Sequence, residues 1–253
     1  MCRHLAYVGD ETTLRALVVD PPGGLYEQSW RPRHQRHGTV NADGFGVGWY
    51  VDGDPVPARY RRAVPIWADP SFADVARVTR TRVLLAAVRS ATAGTAAGEE
   101  AAAPYRDGPW LFSHNGTLDA WPDGLGTLAA DLPPEDLLRL EARCDSALLW
   151  ALIRRRLADG EPAGAAVAAM VERVAAHTAG RFNVLLTDGE TVTATAYGDT
   201  LFVAERPDGV RVASEPSDDG DWRQVPDRTL VTADRKAVRF RPLGNGRARP
   251  PAT

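Results

Sequence analysis

Cys2 carries the most chemical information in this sequence, because it directly follows the initiator methionine. Initiator methionine is removed when the next residue is small, and its removal leaves a thiol beside a free α-amine. Such an amine has a pKa of about 7.7–8.0, so near neutral pH it can accept the thiol proton and later return it. One residue then supplies both the nucleophile and its base. The alternative is a cysteine that stands second on an edge strand by chance.

His114-Asn115-Gly116 follows a short apolar run and is the second feature with possible chemistry. The Asn115 side-chain amide and the Gly116 backbone N–H are two donors that can converge on one point, as a tetrahedral oxyanion requires. An Asn-Gly pair is also common as a plain turn, which is the alternative interpretation. We interpret His114 as structural, and not as a metal ligand or a base.

Arg89 follows an apolar run over 83–88 that is predicted to be a buried strand. An unpaired buried guanidinium is costly, so Arg89 must face a carboxylate that belongs either to the protein or to a ligand. The guanidinium suits bidentate binding of a carboxylate, and the Ser90 and Thr92 hydroxyls can add hydrogen bonds. An internal ion pair is the more common arrangement for an arginine in this setting.

Asp145 begins the predicted helix DSALLWALIRRRL, where an aspartate commonly acts as an N-cap. Its carboxylate can alternatively bind a substrate ammonium group, with Ser146 then serving as the cap.

His34 and His37 lie in the Arg-rich segment RPRHQRH without Cys, Asp or Glu at metal-ligand spacing, so we expect no metal site there.

The bulk properties of the 253-residue chain are those of one soluble enzyme domain, with 44% hydrophobic and 25% charged residues. The net charge of −3 does not favour nucleic acid or an anionic membrane surface as a partner. Two cysteines, Cys2 and Cys144, do not make a disulfide framework and indicate a reducing compartment. The sequence has neither a signal-peptide pattern nor the roughly 20 apolar residues of a membrane span. We therefore expect a cytoplasmic protein with no membrane or nucleic-acid partner.

Periodicity and turn residues predict strands at both ends of the chain with helices between them. In the first half, strands are expected over 3–8, 44–51, 58–63, 83–90 and 110–113, and helices over 11–18 and 71–80. In the second half, helices are expected over 145–157 and 163–177, and strands over 181–187, 191–197, 200–205, 210–214, 230–232 and 238–241. Hairpin turns are expected at 188–189, 198–199 and 208–209. This layout predicts a single, mainly antiparallel α+β domain over 2–242 and a disordered tail over 243–253.

Two segments of this layout bear on the site. In 44–51 glycine alternates with larger residues, as in a strand that another backbone or a ligand approaches closely. These glycines lead into a strand and do not open a helix, so they do not predict a phosphate-binding loop. A turn beside the active site is expected at their N-terminal side. The segment 91–109 is expected to be a long loop, and long loops in compact domains are often functional.

The four motifs occur in the order found in class II glutamine amidotransferases, which the chain resembles from Cys2 to about residue 242. They are Cys2, the strand end Arg89-Ser90-Ala91-Thr92, His114-Asn115-Gly116, and Asp145-Ser146. That family belongs to the N-terminal nucleophile hydrolases, so the resemblance implies their four-layer αββα sandwich. It also implies Cys2 as nucleophile, Asn115 and Gly116 as the oxyanion hole, Arg89 as the group that binds the glutamyl α-carboxylate, and Asp145 as the group that binds its α-ammonium. Ser90 and Thr92 complete the expected substrate-binding set.

Several longer segments closely resemble one branch of that family, the amidohydrolases of ergothioneine biosynthesis. They are 20–30, 37–50, 86–92, 144–148, 197–201 and 214–219. The resemblance implies hydrolysis of the γ-glutamyl amide bond of γ-glutamyl-hercynylcysteine sulfoxide through a Cys2 thioester. The products are glutamate and hercynylcysteine sulfoxide, and neither a metal nor an organic cofactor is expected. The expected partner is a small γ-glutamyl molecule, and the sequence indicates no particular oligomeric state.

Ser90 departs from the larger amidotransferases, in which tryptophan follows the arginine, and the lost bulk would leave room for a large amine as leaving group. Without a synthase domain in the sequence, hydrolysis is a simpler interpretation than ammonia transfer. Two alternatives stay open: a glutaminase subunit that supplies ammonia to a separate synthase, and a non-catalytic homologue that binds γ-glutamyl ligands. Candidate groups for a trimethylammonium leaving group are Tyr26, Trp30, Asp43, Ser214-Glu215-Pro216, Asp218 and Asp219.

Overall fold

The computed structural model describes residues 2–244, which form two antiparallel sheets with helices on their outer faces. The strands are β1 (Arg3–Thr13), β2 (Phe45–Trp49), β3 (Ala58–Arg62), β4 (Arg80–Val88), β5 (Tyr105–Asp107), β6 (Trp110–Leu118), β7 (Gly180–Thr187), β8 (Val192–Ala196), β9 (Phe202–Arg206), β10 (Gly209–Ala213), β11 (Arg223–Gln224), β12 (Thr229–Ala233) and β13 (Val238–Pro242). The helices are α1 (Leu14–Val18), α2 (Leu25–Gln28), α3 (Pro70–Val78), α4 (Gly126–Ala129), α5 (Pro134–Leu138), α6 (Asp145–Ala158) and α7 (Ala163–Ala175).

The strand order brings the predicted site residues to one end of the molecule. The first sheet has the order β11-β9-β10-β1-β4-β2-β3, and the second has the order β13-β12-β8-β7-β6-β5. β1 is therefore an interior strand between β4 and β10. Arg3 lies opposite Val88, so the start of β1, next to Cys2, lies beside the end of β4, next to Arg89.

Alternation of side chains along the strands produces four layers. On β1, Leu5 and Tyr7 pack with α1–α3 on the outer face of the first sheet, whereas Ala6 and Val8 pack between the two sheets. On the outer face of the second sheet, Phe112 of β6 packs with α6 and α7. The order helix, sheet, sheet, helix confirms the predicted αββα sandwich.

The strand that carries His114-Asn115-Gly116 is longer than predicted. β6 continues to Leu118 and pairs with β7 throughout, with Asn115 opposite Asn183 and Gly116 opposite Phe182. The interpretation of Asn115-Gly116 as a turn is therefore wrong, because pairing with a distant strand overrides the local preference. A Cβ atom at Gly116 would overlap the carbonyl oxygen of Arg181, so this register accepts only glycine.

Two of the three predicted hairpins are present. Asp188-Gly189 joins β7 to β8, and Asp208-Gly209 joins β9 to β10, with both glycines at positive φ. Gly198-Asp199 instead carries the chain from the second sheet to the first, so the predicted hairpin there is wrong. The Asn183 side chain holds this crossover, because its Oδ1 accepts the Tyr197 N–H at 2.9 Å and its Nδ2 donates to the Thr200 carbonyl at 3.1 Å.

The predicted boundaries differ from the structure at both ends of the chain. β1 extends to Thr13, whose side chain caps α1 by accepting the Ala16 N–H, so the helix expected over 11–18 begins only at Leu14. Leu243 is buried, and its backbone N–H donates to the Arg228 carbonyl at 2.8 Å. From residue 245 onward, the tail predicted to be disordered lies outside the described residues.

Candidate active site

A cavity opens where β1 begins and β4 ends. Six of the seven predicted site residues line it: Cys2, Arg89, Ser90, Thr92, Gly116 and Asp145. The seventh, Asn115, is fully buried beside it, and its Nδ2 donates to Ser214 Oγ at 3.4 Å. Residues that are far apart in the sequence thus meet at one place in the fold.

Cys2 directly precedes β1 and is half-buried. Its nearest hydrogen-bond acceptor is the backbone carbonyl of Ser90, at 3.8 Å from Sγ. Ser90 therefore contacts the Cys2 thiol through its main chain, which leaves its hydroxyl free to act elsewhere in the cavity.

The Arg89 guanidinium is 7% exposed and donates to neutral oxygens. Its Nη1 donates to the Asp43 carbonyl at 3.3 Å, and its Nη2 donates to Thr95 Oγ1 at 3.1 Å and to the Ala96 carbonyl at 2.7 Å. The internal ion pair considered from the sequence is not formed within residues 2–244. A buried positive charge that lines a cavity and bonds to neutral protein oxygens suits an anionic ligand group. The contact with Asp43 agrees with the turn expected beside the active site.

Asp145 is the first residue of α6 and is 4% exposed. Its Oδ1 accepts the Ser146 N–H at 2.8 Å, and its Oδ2 accepts the Leu118 N–H at 3.2 Å. An ionised carboxylate has about four acceptor sites, so both oxygens keep capacity for a further donor. The residue that precedes the helix is Cys144, whose side chain makes no capping hydrogen bond.

His114 connects β6 to the start of α6. Its Nε2 lies 2.9 Å from the Arg181 carbonyl, and its Nδ1 lies 3.0 Å from Ser146 Oγ. A carbonyl can only accept, so Nε2 carries a proton, and in the neutral ring Nδ1 accepts the Ser146 hydroxyl. These bonds fix β6 relative to Asp145, in agreement with a structural role.

Tyr105 and Cys144 also line the cavity and were not identified from the sequence. The Tyr105 hydroxyl lies 3.1 Å from Cys144 Sγ, and burial raises the pKa of both groups. Both are therefore protonated at neutral pH. Tyr105 belongs to the segment 91–109, which was expected to be functional. That expectation was the only indication of Tyr105 in the sequence.

A buried ion pair involves Arg3, the residue next to Cys2. Arg3 Nη1 is 3.7 Å from Glu215 Oε1, and both side chains are fully buried. The other oxygen of Glu215 accepts the backbone N–H groups of Arg33 at 2.5 Å and His34 at 3.1 Å. Glu215 therefore connects the loop before β2 to the strand that follows Cys2. Burial lowers the pKa of Arg3, and the Glu215 charge opposes this shift.

The candidate leaving-group residues are not brought together at the Cys2 cavity. Tyr26 and Trp30 stack edge to face at 5.0 Å, and Tyr26 lines a different cavity. Asp218 is held by Arg206 at 2.5 Å and by Trp222 Nε1 at 3.0 Å. Ser214 and Asp43 come closest to the site, because Ser214 Oγ accepts a hydrogen bond from Asn115 Nδ2 and the Asp43 carboxylate accepts the N–H of Ala91 at 2.8 Å.

Within residues 2–244, no group of three or more His, Cys, Asp and Glu side chains is arranged to hold a metal ion. In the same part of the chain, no helix has the length and apolar character needed to cross a bilayer.

The family model for class II glutamine amidotransferases matches residues 25–238. The chain belongs to this family. Among its relatives, the γ-glutamyl-hercynylcysteine sulfoxide hydrolase of Mycolicibacterium smegmatis is 44% identical over 244 residues, which is 96% of this chain and 100% of the relative. The protein of the same name from Mycobacterium tuberculosis is 44% identical over 239 residues, which is 94% of this chain and 95% of the relative.

A solved class II amidotransferase domain protein from Silicibacter pomeroyi has the same fold. It superimposes with a TM-score of 0.69 at 22% sequence identity, covering 96% of this chain and 100% of that chain. The amidotransferase fold expected from the order of the four motifs is thereby confirmed.

Proposed function

We propose that this class II amidotransferase hydrolyses the γ-glutamyl amide bond of γ-glutamyl-hercynylcysteine sulfoxide and releases glutamate and hercynylcysteine sulfoxide in ergothioneine biosynthesis. The observation that carries the proposal is the 44% identity along the whole of the M. smegmatis hydrolase named for this compound. The reaction belongs to the cytoplasm, where both cysteines remain reduced, and residues 2–242 form the catalytic domain.

Arg89 and Asp145 bind the two charged groups of the glutamyl head. Arg89 takes the α-carboxylate with its guanidinium, and Asp145 takes the α-ammonium with the free acceptor sites of its carboxylate. Two observations support this assignment. Arg89 and Asp145 line the same cavity, and Arg89 forms no ion pair within the described residues. Ser90 and Thr92 supply hydroxyl groups in the same cavity.

The first half of the reaction forms a thioester on Cys2. After Met1 is removed, the α-amine accepts the thiol proton and the thiolate attacks the γ-carbonyl carbon, so that a C–S bond forms and the carbonyl oxygen becomes negative. Asn115 Nδ2 and the Gly116 N–H stabilise this oxygen, and each such donor contributes about 10²–10³ in rate. The α-ammonium then donates its proton to the amide nitrogen as the C–N bond breaks, and the amine departs.

The second half returns the enzyme to its starting state. The α-amine accepts a proton from a water molecule, whose oxygen attacks the thioester carbonyl at the same oxyanion site. The C–S bond breaks, glutamate leaves, and the thiolate recovers the proton from the α-ammonium. The two steps consume one water and leave no net change in the protein.

The test compares kcat/KM for the conjugate and for free glutamine by following glutamate release with enzyme of verified N-terminus. We expect the conjugate to be preferred by at least about 10²-fold, because its leaving group adds binding energy that ammonia lacks. Cys2→Ala is the control for contaminating activity. Equal values, or a preference for glutamine, would assign the protein as a glutaminase.

A further inference from the structure

Ser214 follows β10 and is tied to the strand that carries the nucleophile. Its backbone N–H donates to the His4 carbonyl at 3.0 Å, and its Oγ accepts the His4 N–H at 3.0 Å. Its own carbonyl accepts Thr200 Oγ1 at 2.8 Å. The Ser214 hydroxyl is fully buried, and it is hydrogen-bonded to His4, which is two residues after Cys2 in the chain.

The same hydroxyl reaches across to the second sheet. Asn115 Nδ2 donates to Ser214 Oγ at 3.4 Å, which is the one hydrogen bond of the Asn115 side chain within residues 2–244. The Asn115 side chain is 0% exposed, and its Oδ1 is without a partner there. A side-chain amide has two N–H donors, so one can point at Ser214 while the other remains for a substrate oxygen.

We propose that Ser214 is a positioning residue for the oxyanion hole. This inference rests on the function proposed for Asn115. The direction of the Gly116 N–H is fixed by the backbone of β6, whereas the Asn115 amide is a side chain that must be oriented by a contact. Ser214 supplies that contact while it is also bonded to His4 of β1, the strand that follows Cys2. The position of the Asn115 donor is therefore fixed relative to that of the Cys2 thiol.

If Ser214 only stabilises the fold, a different result is expected. Ser214 Oγ already accepts the His4 N–H, and this bond alone accounts for a buried hydroxyl that stabilises the fold. In that case removal of the hydroxyl lowers the free energy of unfolding but does not act on kcat through Asn115. The two roles are therefore separated by whether the effects of the two side chains on kcat are independent.

The test is a double-mutant cycle on hydrolysis of γ-glutamyl p-nitroanilide, followed by release of p-nitroaniline. We expect Ser214→Ala to lower kcat about tenfold with little change in KM, because a misaimed donor weakens transition-state stabilisation. Asn115→Ala should lower kcat by about 10²–10³-fold. The double variant should lie within about twofold of Asn115→Ala, since the hydroxyl acts through the amide. Additive losses, or a change confined to KM, would overturn the proposal.

Two further measurements isolate the oxyanion role. Alkylation of Cys2 by iodoacetamide needs no oxyanion hole, so Ser214→Ala should react at the wild-type rate. Ser113→Ala is the matched control, because it removes another fully buried hydroxyl that contacts the His4 ring at 3.2 Å and not Asn115. We expect Ser113→Ala to keep the wild-type kcat, and a tenfold loss there would also overturn the proposal.

The design stays informative if a variant misfolds or if the natural substrate differs. If Ser214→Ala loses its cooperative thermal transition, Ser214→Cys replaces it with the same expected loss, because a thiol is a weaker acceptor of similar size. The p-nitroanilide lacks the hercynyl and sulfoxide groups. A wrong assignment of the natural leaving group therefore affects the comparison with glutamine and leaves this cycle interpretable.

Discussion

Arg89 and Asp43 are joined by two hydrogen bonds. The Asp43 backbone N–H donates to the Arg89 carbonyl at 2.9 Å, and Arg89 Nη1 donates to the Asp43 carbonyl at 3.3 Å. The loop before β2 thus orients the guanidinium without neutralising it. A carboxylate in place of that carbonyl would hold Arg89 as an internal ion pair and compete with the substrate.

Arg89→Lys is expected to lower kcat/KM for γ-glutamyl p-nitroanilide by about 10- to 150-fold, the equivalent of about 1.5–3 kcal/mol for hydrogen bonds to a charged group. Lysine keeps the charge but loses the planar pair of donors. The 4-aminobutyryl analogue lacks the α-carboxylate, so wild type should discriminate against it more strongly than Arg89→Lys does. Thr95→Val removes one neutral acceptor of Arg89 and is the control. If wild type and Arg89→Lys discriminated equally against the 4-aminobutyryl analogue, Arg89 would not bind the α-carboxylate.

The order of the motifs was sufficient to predict the fold and six residues that line one cavity. Local patterns worked where a turn acts on its neighbours, as with the hairpins predicted at Asp188-Gly189 and Asp208-Gly209, whose glycines have positive φ. The alternating glycines of β2 also indicated close approach, because a Cβ at Gly46 would overlap the Ala103 carbonyl oxygen.

What the sequence did not predict depends on contacts between distant segments. Asn115-Gly116 has the composition of a turn, and only its pairing with β7 keeps it extended. Ser214 was considered as part of a leaving-group loop, whereas in the structure it bonds to His4 and Asn115. Neither partner is near Ser214 in sequence, so no local pattern indicates the contact.

Maturation at Cys2 is expected to be essential. A protein that retains an uncleaved N-terminal extension should be inactive, because its Cys2 nitrogen is an amide and cannot accept the thiol proton. Cys2→Ala and Cys2→Ser should likewise lose activity. Cys144→Ser is the matched control in the same cavity and should keep most activity, since its hydroxyl can still bond to Tyr105. Intact mass and glutamate release on the same sample provide the measurement, and full activity with an intact extension would reject the mechanism.

Asp145→Asn should lower kcat/KM about 10-fold or more by removing the charge that pairs with the substrate α-ammonium. Asparagine keeps one oxygen that can accept the Ser146 N–H, so the helix start should survive, whereas its NH2 group cannot accept the Leu118 N–H. The glutaryl analogue lacks the α-amine, and the variant should discriminate against it less than wild type does. Ser146→Ala, which removes the hydroxyl bonded to His114, is the neighbouring control. A variant that discriminates like wild type would show that Asp145 only supports the fold.

His4 is expected to make the fold sensitive to mild acid. Burial lowers the pKa of His4 well below 6.5, and the positive charge of Arg3 lowers it further. The unfolded chain binds a proton near pH 6.5 that the folded protein excludes, so stability is full above this pH and falls as the pH decreases. The loss from this one group between pH 7.5 and 5.5 is about 1.4 kcal/mol.

Urea denaturation of wild type and His4→Asn at these two pH values tests the effect. The variant should lose about 1.4 kcal/mol less than wild type over this range, because it has no side chain to titrate. His177→Asn, at an exposed histidine, should retain the wild-type difference between the two pH values. Identical losses for wild type and His4→Asn would mean that other groups account for the acid sensitivity.

Glu215→Gln should be among the most destabilising conservative changes in this protein. The substitution removes the carboxylate 3.7 Å from Arg3 while the arginine stays buried, and breaking a buried pair from one side costs about 3–5 kcal/mol. Asp199 also interacts with the Arg3 charge, which places the expected loss near the lower end of that range. Glu141→Gln is the control, because Glu141 pairs with Arg59 at 3.1 Å and with Arg61 at 3.2 Å in a partly exposed setting, and its loss should cost less. Urea denaturation at pH 7.5 compares the two variants. If Glu215→Gln were no more destabilising than Glu141→Gln, the Arg3 charge would be stabilised chiefly by other groups, and Glu215 would act mainly as the acceptor for the Arg33 and His34 N–H groups.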